Sequence, residues 1–312
     1  MLSYIHAYHA GNHADILKHL TLSLILEHLC KKEKPFCVID THAGSGLYNL
    51  HDERAKKTEE TKSGIEKIIE NKGALRGIFP RREGSDQHRG SEGGDFPLPD
   101  YFSFISNFYN EGLYPGSPLI ENLFLRPGDQ QILCELHPAV FEELKNCFYE
   151  RKKTCKAKNI PFVEPSFHKR DCYEFLGAVT PPKIKRGLVL VDPSFEEAGD
   201  FEQCGKALAA VHKKWSPAIL ALWYPLVAHR SAEISMMKER IISSVDSIEP
   251  KILDVQLEVK RKEDMTGLAS LYGSGMFIVN FPYKLDEELE QILPVLSETL
   301  GDTAKNWSVD KL

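Results

Sequence analysis

The sequence predicts an α/β fold built on a mainly parallel sheet of seven strands, and two observations carry that prediction. Short apolar runs alternate with helical patterns along most of the chain, the rhythm of strand–helix–strand units. Most of the runs are continuously apolar rather than alternating, as strands covered on both faces are. In order they are FCVID (36–40), QILCE (131–135), the stretch 161–171 broken by Pro165, GLVLVD (187–192), AILALW (218–223), ILDVQLEV (252–259) and GMFIVN (275–280). The clearest helical patterns fall at 13–31, 139–152, 200–214, 230–243 and 284–300.

The rhythm breaks once, between 51 and 116. Helical segments there give way to PRREGSDQHRGSEGGDFPLPD (80–100), where no apolar period survives. That stretch reads as a flexible Gly/Arg-rich loop. Residues 1–50 and 117–312 are therefore expected to form the main domain, with 51–116 a small inserted helical subdomain. A chain of 312 residues is long enough for this arrangement.

No apolar run is long enough to span a bilayer. His and Asp interrupt the N-terminus where a secretion signal needs an apolar stretch. Seven cysteines, an odd number with no CxxC pair, suit buried free thiols in a reducing cytoplasm better than disulfides or a zinc site. The net charge of −6 speaks mildly against a nucleic-acid partner. Charge distribution matters more than the sum, and basic clusters occur at Lys31–Lys34, Arg151–Lys158, Lys183–Arg186 and Lys260–Lys262. Arg81, Arg82 and Arg89 add to them. Solvated surface is the plain reading of each.

The first strand ends in Asp40 and runs into Thr41-His42-Ala43-Gly44-Ser45-Gly46. Ligands of parallel α/β sheets bind at the carboxyl ends of strands. Glycines such as Gly44 and Gly46 let the backbone turn and approach them there. The same pattern occurs in dehydrogenases and in plain turns. The second strand ends in Glu135, whose carboxylate can accept both hydroxyls of a ribose; otherwise it is a strand-end charge in solvent. Asp171 closes the third strand region, where it can bind an adenine amine, cap the helix that begins at YEFL, or do both.

The fourth strand ends in Asp192-Pro193-Ser194-Phe195, the most informative tetrapeptide of the chain. The lone pair of an aromatic amine is delocalised into its ring. Acceptors on each N–H, here the Asp192 carboxylate and the Pro193 carbonyl, would pull the nitrogen toward tetrahedral geometry and free that lone pair for methylation. Phe195 would stack on the target base, a contact worth roughly 1–3 kcal/mol. A simple Asp-Pro-Ser turn is the alternative.

With these motifs in hand, a resemblance can be named. Asp-Pro-Ser-Phe follows the Asp/Asn-Pro-Pro-Tyr/Phe motif of amino methyltransferases. Together with the N-terminal SYxHxxHAGNHADxLKH block, DTHAGSGxY, YPGSP, ELHP, GLVLVDP, LWYP and SGMFIVNxP, it resembles the bacterial 23S ribosomal RNA adenine-N6 methyltransferases of the RlmJ family, from residue 1 to about 295. The resemblance implies a monomeric, cytoplasmic, Rossmann-like class I methyltransferase that uses S-adenosylmethionine. Its target would be one adenosine in the peptidyl-transferase domain of 23S rRNA, modified during ribosome assembly on protein-free RNA or an early intermediate. On the matching positions, His19, His42, Ser117, Glu135, Asp171 and Cys172 would line the cofactor, Asp192 would be the catalytic position and Tyr4 would touch the RNA. His9 and His13 stand four apart like metal ligands, but HAGNH lacks a zinc protease's Glu, so no metal is expected.

Two departures from the pattern stand out. Ser194 replaces the commoner Pro, and the 80–100 loop is longer than the family usually carries. A DNA adenine-N6 methyltransferase would share the motif chemistry but needs a larger recognition segment. An inactive RNA-binding assembly factor would have no use for Asp192, Glu135 and the glycine loop together. A dehydrogenase would leave Asp-Pro-Ser-Phe without a purpose.

Overall fold

The computed structural model describes residues 5–71, 100–245, 250–265 and 271–312. Tyr4, Arg81, Arg82, Arg89 and residues 80–99 of the Gly/Arg-rich loop lie outside the described residues.

The chain opens with a single helical turn at His6–Tyr8, then α1 (His13–Cys30) and β1 (Cys37–Asp40). Next come β2 (Leu47–Asn49), α2 (Glu53–Thr58), α3 (Ile65–Glu70), α4 (Tyr101–Asn110) and β3 (Leu113–Pro115), which pairs antiparallel with β2. The remaining elements are α5 (Ser117–Phe124), β4 (Gln130–Cys134), α6 (Pro138–Ala157), β5 (Ser166–His168), α7 (Cys172–Val179), β6 (Gly187–Val191), α8 (Ala198–Lys214), β7 (Ile219–Val227), α9 (Ser231–Ile242), β8 (Ile252–Glu258), β9 (Leu271–Val279), α10 (Leu285–Leu300) and β10 (Asn306–Lys311).

One large sheet runs β10-β8-β9-β7-β6-β1-β4-β5. All seven expected strands are in it. The eighth, β10, is an addition: Asn306–Lys311 pairs antiparallel with β8 at the edge, and most of its residues are exposed. Its sequence, NWSVDK, has no buried face to betray it. The five strands from β5 to β7 are parallel, whereas β9 joins β7 and β8 antiparallel. Pro225 falls inside β7, beyond Leu222 where pairing with β6 ends, so its missing N–H breaks no ladder bond on that side. The strand expected over 161–171 contracts to Ser166–His168.

Strand order reverses at β1, which lies between β4 and β6. The loops after β1, β4 and β6 therefore open at one switch point. Helix α1 is buried over nearly its whole length and packs near β9, α5 and α10. Apolar residues on all sides suit such a position. Its sequence nonetheless holds Asp15, Lys18 and His19, all buried, and each needs a partner there.

Candidate active site

The loops at the switch point frame a single cavity of about 1230 Å³. Of the residues expected to bind the cofactor, His19, His42, Gly44, Ser117, Glu135, Asp171 and Cys172 all line it, as do Asp192, Pro193 and Phe195. Gly46 does not. Its φ of 81° turns the chain toward β2, and an added Cβ would stand 3.1 Å from Cys147 Sγ and 3.2 Å from Leu144 Cδ1 on α6. Gly46 thus serves the turn and its packing rather than a ligand.

The Glu135 carboxylate is fixed from two sides. Gly44 N donates to Oε2 at 3.0 Å and His137 N donates to Oε1 at 2.7 Å. Each oxygen keeps a lone pair for a further donor. Burial raises its pKa above the ordinary carboxylate value. Asp171 caps α7 through Oδ1, which accepts from Tyr173 N at 2.9 Å and Glu174 N at 3.1 Å. Both capping bonds use one oxygen, so Oδ2 is left for the cavity and the two roles expected of Asp171 are compatible. Ser117 Oγ donates to Asp40 Oδ2 at 2.7 Å, and His42 N donates to Asp40 Oδ1 at 3.0 Å. Burial pushes Asp40 up to about 7, against the pull of these two bonds. Asp40 is therefore a bracket beneath the loop, joining two lining residues without itself lining the cavity.

The feature the motifs did not announce is an ion chain from α1. Lys18 Nζ donates to Asp15 Oδ1 at 2.9 Å and to Asp192 Oδ2 at 2.5 Å. Burial pulls the Lys18 ammonium down, but the two carboxylates outweigh it and hold it well above the usual lysine value. Burial likewise opposes Asp15, yet His6, Lys18 and His19 hold its carboxyl well below the ordinary range. Asp15 Oδ2 also accepts from Gly11 N at 2.9 Å and meets His6 Nε2 at 2.9 Å. His19 Nδ1 meets the Tyr114 hydroxyl at 2.9 Å, and burial lowers the His19 ring to about 3. The sequence held one signal for this chain: Asp15 and Lys18 interrupt a helix that is otherwise apolar. What they pair with is not a sequence property, because Asp192 lies 174 residues away.

Phe195 is buried and stacks on Phe201, with ring centroids 4.4 Å apart. One face of the ring is thus taken, and a base can reach only the other. Its φ of 51° is a left-handed conformation that a bulky residue seldom adopts, strain of the kind that collects at functional turns. Trp223 and Pro225 of β7 form the neighbouring wall. All seven cysteines are free, and burial pushes the Cys172 thiol up, which makes it a packing group rather than a nucleophile. Among the described residues no group of three His, Cys, Asp or Glu is placed to hold a metal ion.

Comparison with known proteins agrees with this geometry. Residues 33–78 and 95–312 match the family model described as "Ribosomal RNA large subunit methyltransferase D, RlmJ". The chain belongs to the RlmJ family. Within it, the chain is 35% identical to ribosomal RNA large subunit methyltransferase J of Escherichia coli (strain K12), covering 99% of both chains. The protein of that name from Haemophilus influenzae is 34% identical, covering 99% of this chain and 98% of its own. A solved structure of a Legionella pneumophila protein superposes with a TM-score of 0.72, at 26% identity, over 97% of this chain and 98% of that one. The RlmJ match leaves out residues 79–94, which fall within the long Gly/Arg-rich loop.

Proposed function

We propose that the chain transfers a methyl group from S-adenosylmethionine to N6 of one adenosine in the peptidyl-transferase domain of 23S rRNA, on protein-free RNA or an early assembly intermediate. The observation that carries the reading is Asp192-Pro193 at the end of β6, opening on the same cavity as Glu135 and Gly44. The two relatives named as large-subunit rRNA methyltransferases support the RNA as substrate. We further assign residues 51–116 as a helical subdomain inserted into the domain of 1–50 and 117–312, and the protein as a cytoplasmic monomer.

The donor set fits the cofactor. Glu135 offers one lone pair on each oxygen to a vicinal diol. Asp171 Oδ2 offers an acceptor to an adenine amine. His19, His42, Gly44, Ser117 and Cys172 line the space between. Bound S-adenosylmethionine supplies an electrophilic methyl group on its sulfonium. A volume of about 1230 Å³ exceeds the roughly 300–1,000 Å³ of a pocket for one small ligand, which leaves room for an extruded nucleoside.

The residues of this chain do the rest. Lys18 occupies Asp192 Oδ2 and so fixes the carboxylate, leaving Oδ1 to accept one N–H of the target amine. The Pro193 carbonyl accepts the other. The nitrogen lone pair is thereby drawn out of conjugation, and Asp192 stabilises the positive charge that develops as the N–C bond forms. Phe195 packs against the extruded base. Extrusion costs a few kcal/mol, less for a base already unpaired. Lys62, Lys67, Arg170, Arg230 and Lys260 around the cavity supply local positive charge that the net −6 conceals.

The test is incubation with labelled S-adenosylmethionine, 23S rRNA lacking the modification, duplex DNA, and an Asp192→Ala control. Label as N6-methyladenosine at one rRNA position, absent in the control, is the expected result. Label on DNA alone would replace the substrate. RNA bound without label would leave an assembly factor.

A further inference from the structure

The cavity extends past Lys18 to a second end, at the N-terminus of α1, which no step of the methyl transfer uses. Asn12, His13, Ala14, Lys67 and Lys260 line it. We propose that this end is a phosphate site, and that it takes a backbone phosphodiester of the RNA beside the target adenosine. The proposal rests on the reading of the chain as an RNA methyltransferase.

Three independent features converge there. The first is the helix itself. Helix α1 is 18 residues long, and Asn12 caps it by accepting from Asp15 N at 2.9 Å. That cap leaves the N–H groups of His13 and Ala14 at the positive end of the helix dipole, the arrangement that binds phosphate elsewhere.

The second is the His13 ring, which is only 8% exposed, lines the cavity, and has no partner for Nδ1. Burial lowers its pKa to about 4, so the ring is neutral and carries one proton. A buried orphan acceptor is tolerated better than a buried orphan N–H. The proton therefore sits on Nε2, which becomes a hydrogen-bond donor in search of an oxygen.

The third is charge. The fields of Lys260 and Lys67 both reach His13 and depress it further. Lys260, just beyond β8, is half-buried and makes no ion pair among the described residues. The nearby acids are largely committed. Glu60 is bound by His9 Nδ1 and Asn12 Nδ2, each at 2.8 Å, and Asp264 by Arg261 at 3.1 Å. Asp302 alone remains against two lysines and a helix dipole.

Position agrees with the assignment. His13 and Lys18 are five residues apart, about 7.5 Å along the helix axis. Lys18 holds Asp192, so the site stands a short step from the reacting amine, within reach of a phosphate flanking an extruded nucleotide.

The experiment uses the full chain and an RNA oligonucleotide bearing the target adenosine, with each flanking phosphate replaced in turn by an uncharged methylphosphonate. With wild-type protein, one replacement is expected to raise the KM for RNA about tenfold, the loss of one charge-assisted contact. Lys260→Ala should raise the KM for unmodified RNA to a similar degree and reduce the log–log salt slope of kcat/KM by about 0.7, one phosphate's worth for a single strand. The same replacement should then cost the variant little more, and Lys260→Arg should restore the KM. Lys260→Ala with wild-type KM and salt slope, or with the methylphosphonate penalty undiminished, would overturn the site. Weakened S-adenosylmethionine binding with an unchanged KM for RNA would also overturn it, in favour of the cofactor carboxylate. Wild-type protein that labels no RNA at all would bring down the RNA reading and the site together. Normal wild-type labelling with indifferent variants would remove the phosphate site alone.

Discussion

Two buried lysines in this molecule meet opposite fates. Lys18, on α1, lies between Asp15 and Asp192, and two carboxylates hold its ammonium well above the ordinary value despite burial. Lys238, on α9, has one carboxylate, Asp254, at 2.6 Å, and burial wins, so its pKa is lowered. Asp254 is itself shared with the Tyr224 hydroxyl at 2.6 Å, which Lys238 also meets at 2.8 Å. The first cluster opens on the cavity through Asp192. The second is closed within the core, where Tyr224 crosses over Gly275 to reach β8. An added Cβ on that glycine would stand 2.2 Å from Tyr224 Cζ. The lesson is that burial alone does not decide a lysine's charge. The number of carboxylates does, and so does whether one of them has an unused oxygen facing a ligand.

The comparison can be broken at either end. Lys18→Met should have the largest effect, because it strands two carboxylates and frees the catalytic one to rotate. Single-turnover methyl transfer should fall by about 10²-fold or more, and stability by about 3–5 kcal/mol, measured by urea unfolding. Lys238→Met should cost a similar few kcal/mol, but near-wild-type single-turnover rates are expected below its unfolding transition. A loss of rate comparable to that of Lys18→Met would show that the core cluster is not merely structural. Tyr224→Phe should be milder, about 1–2 kcal/mol for one buried hydrogen bond, read as a shift in urea midpoint at constant slope.

The buried histidines sharpen the same contrast through pH. Burial lowers His13 and His42 to about 4 and His19 to about 3, against 6.5 ordinarily. Between about pH 6.5 and 4 the unfolded chain therefore binds protons that the folded chain refuses, so stability falls as pH falls. Each histidine contributes up to about 1.4 kcal/mol per pH unit in that window. His42→Asn should reduce the proton uptake on unfolding by about one, measured as the pH dependence of the urea midpoint. The smallest effect should come from deleting residues 306–312. β10 is an exposed edge strand, so a decrease of a few degrees in Tm with methyl transfer retained is expected.

Much of the site was legible because strand ends are legible. Asp40, Glu135, Asp171 and Asp192 each follow a run of buried apolar residues or close a strand region, and in a parallel sheet the carboxyl ends converge at the switch point. Gly46 was misread for the converse reason. A glycine next to a ligand and a glycine next to a packed helix look the same in sequence, and only the approach of Cys147 and Leu144 tells them apart. β10 escaped because exposure on both sides removes the apolar signal by which strands are read.

By itself, then, the sequence determined the order of the elements, the four acids at the strand ends and the Asp-Pro motif, because these depend on local period and on position along a strand. Only the tertiary structure decided that Lys18 holds Asp192, that Ser117 and His42 share Asp40, and that Tyr224 reaches Asp254. Those partners lie up to 174 residues apart. A buried charge must find its counter-charge wherever the packed layers bring one, and no local pattern records that meeting.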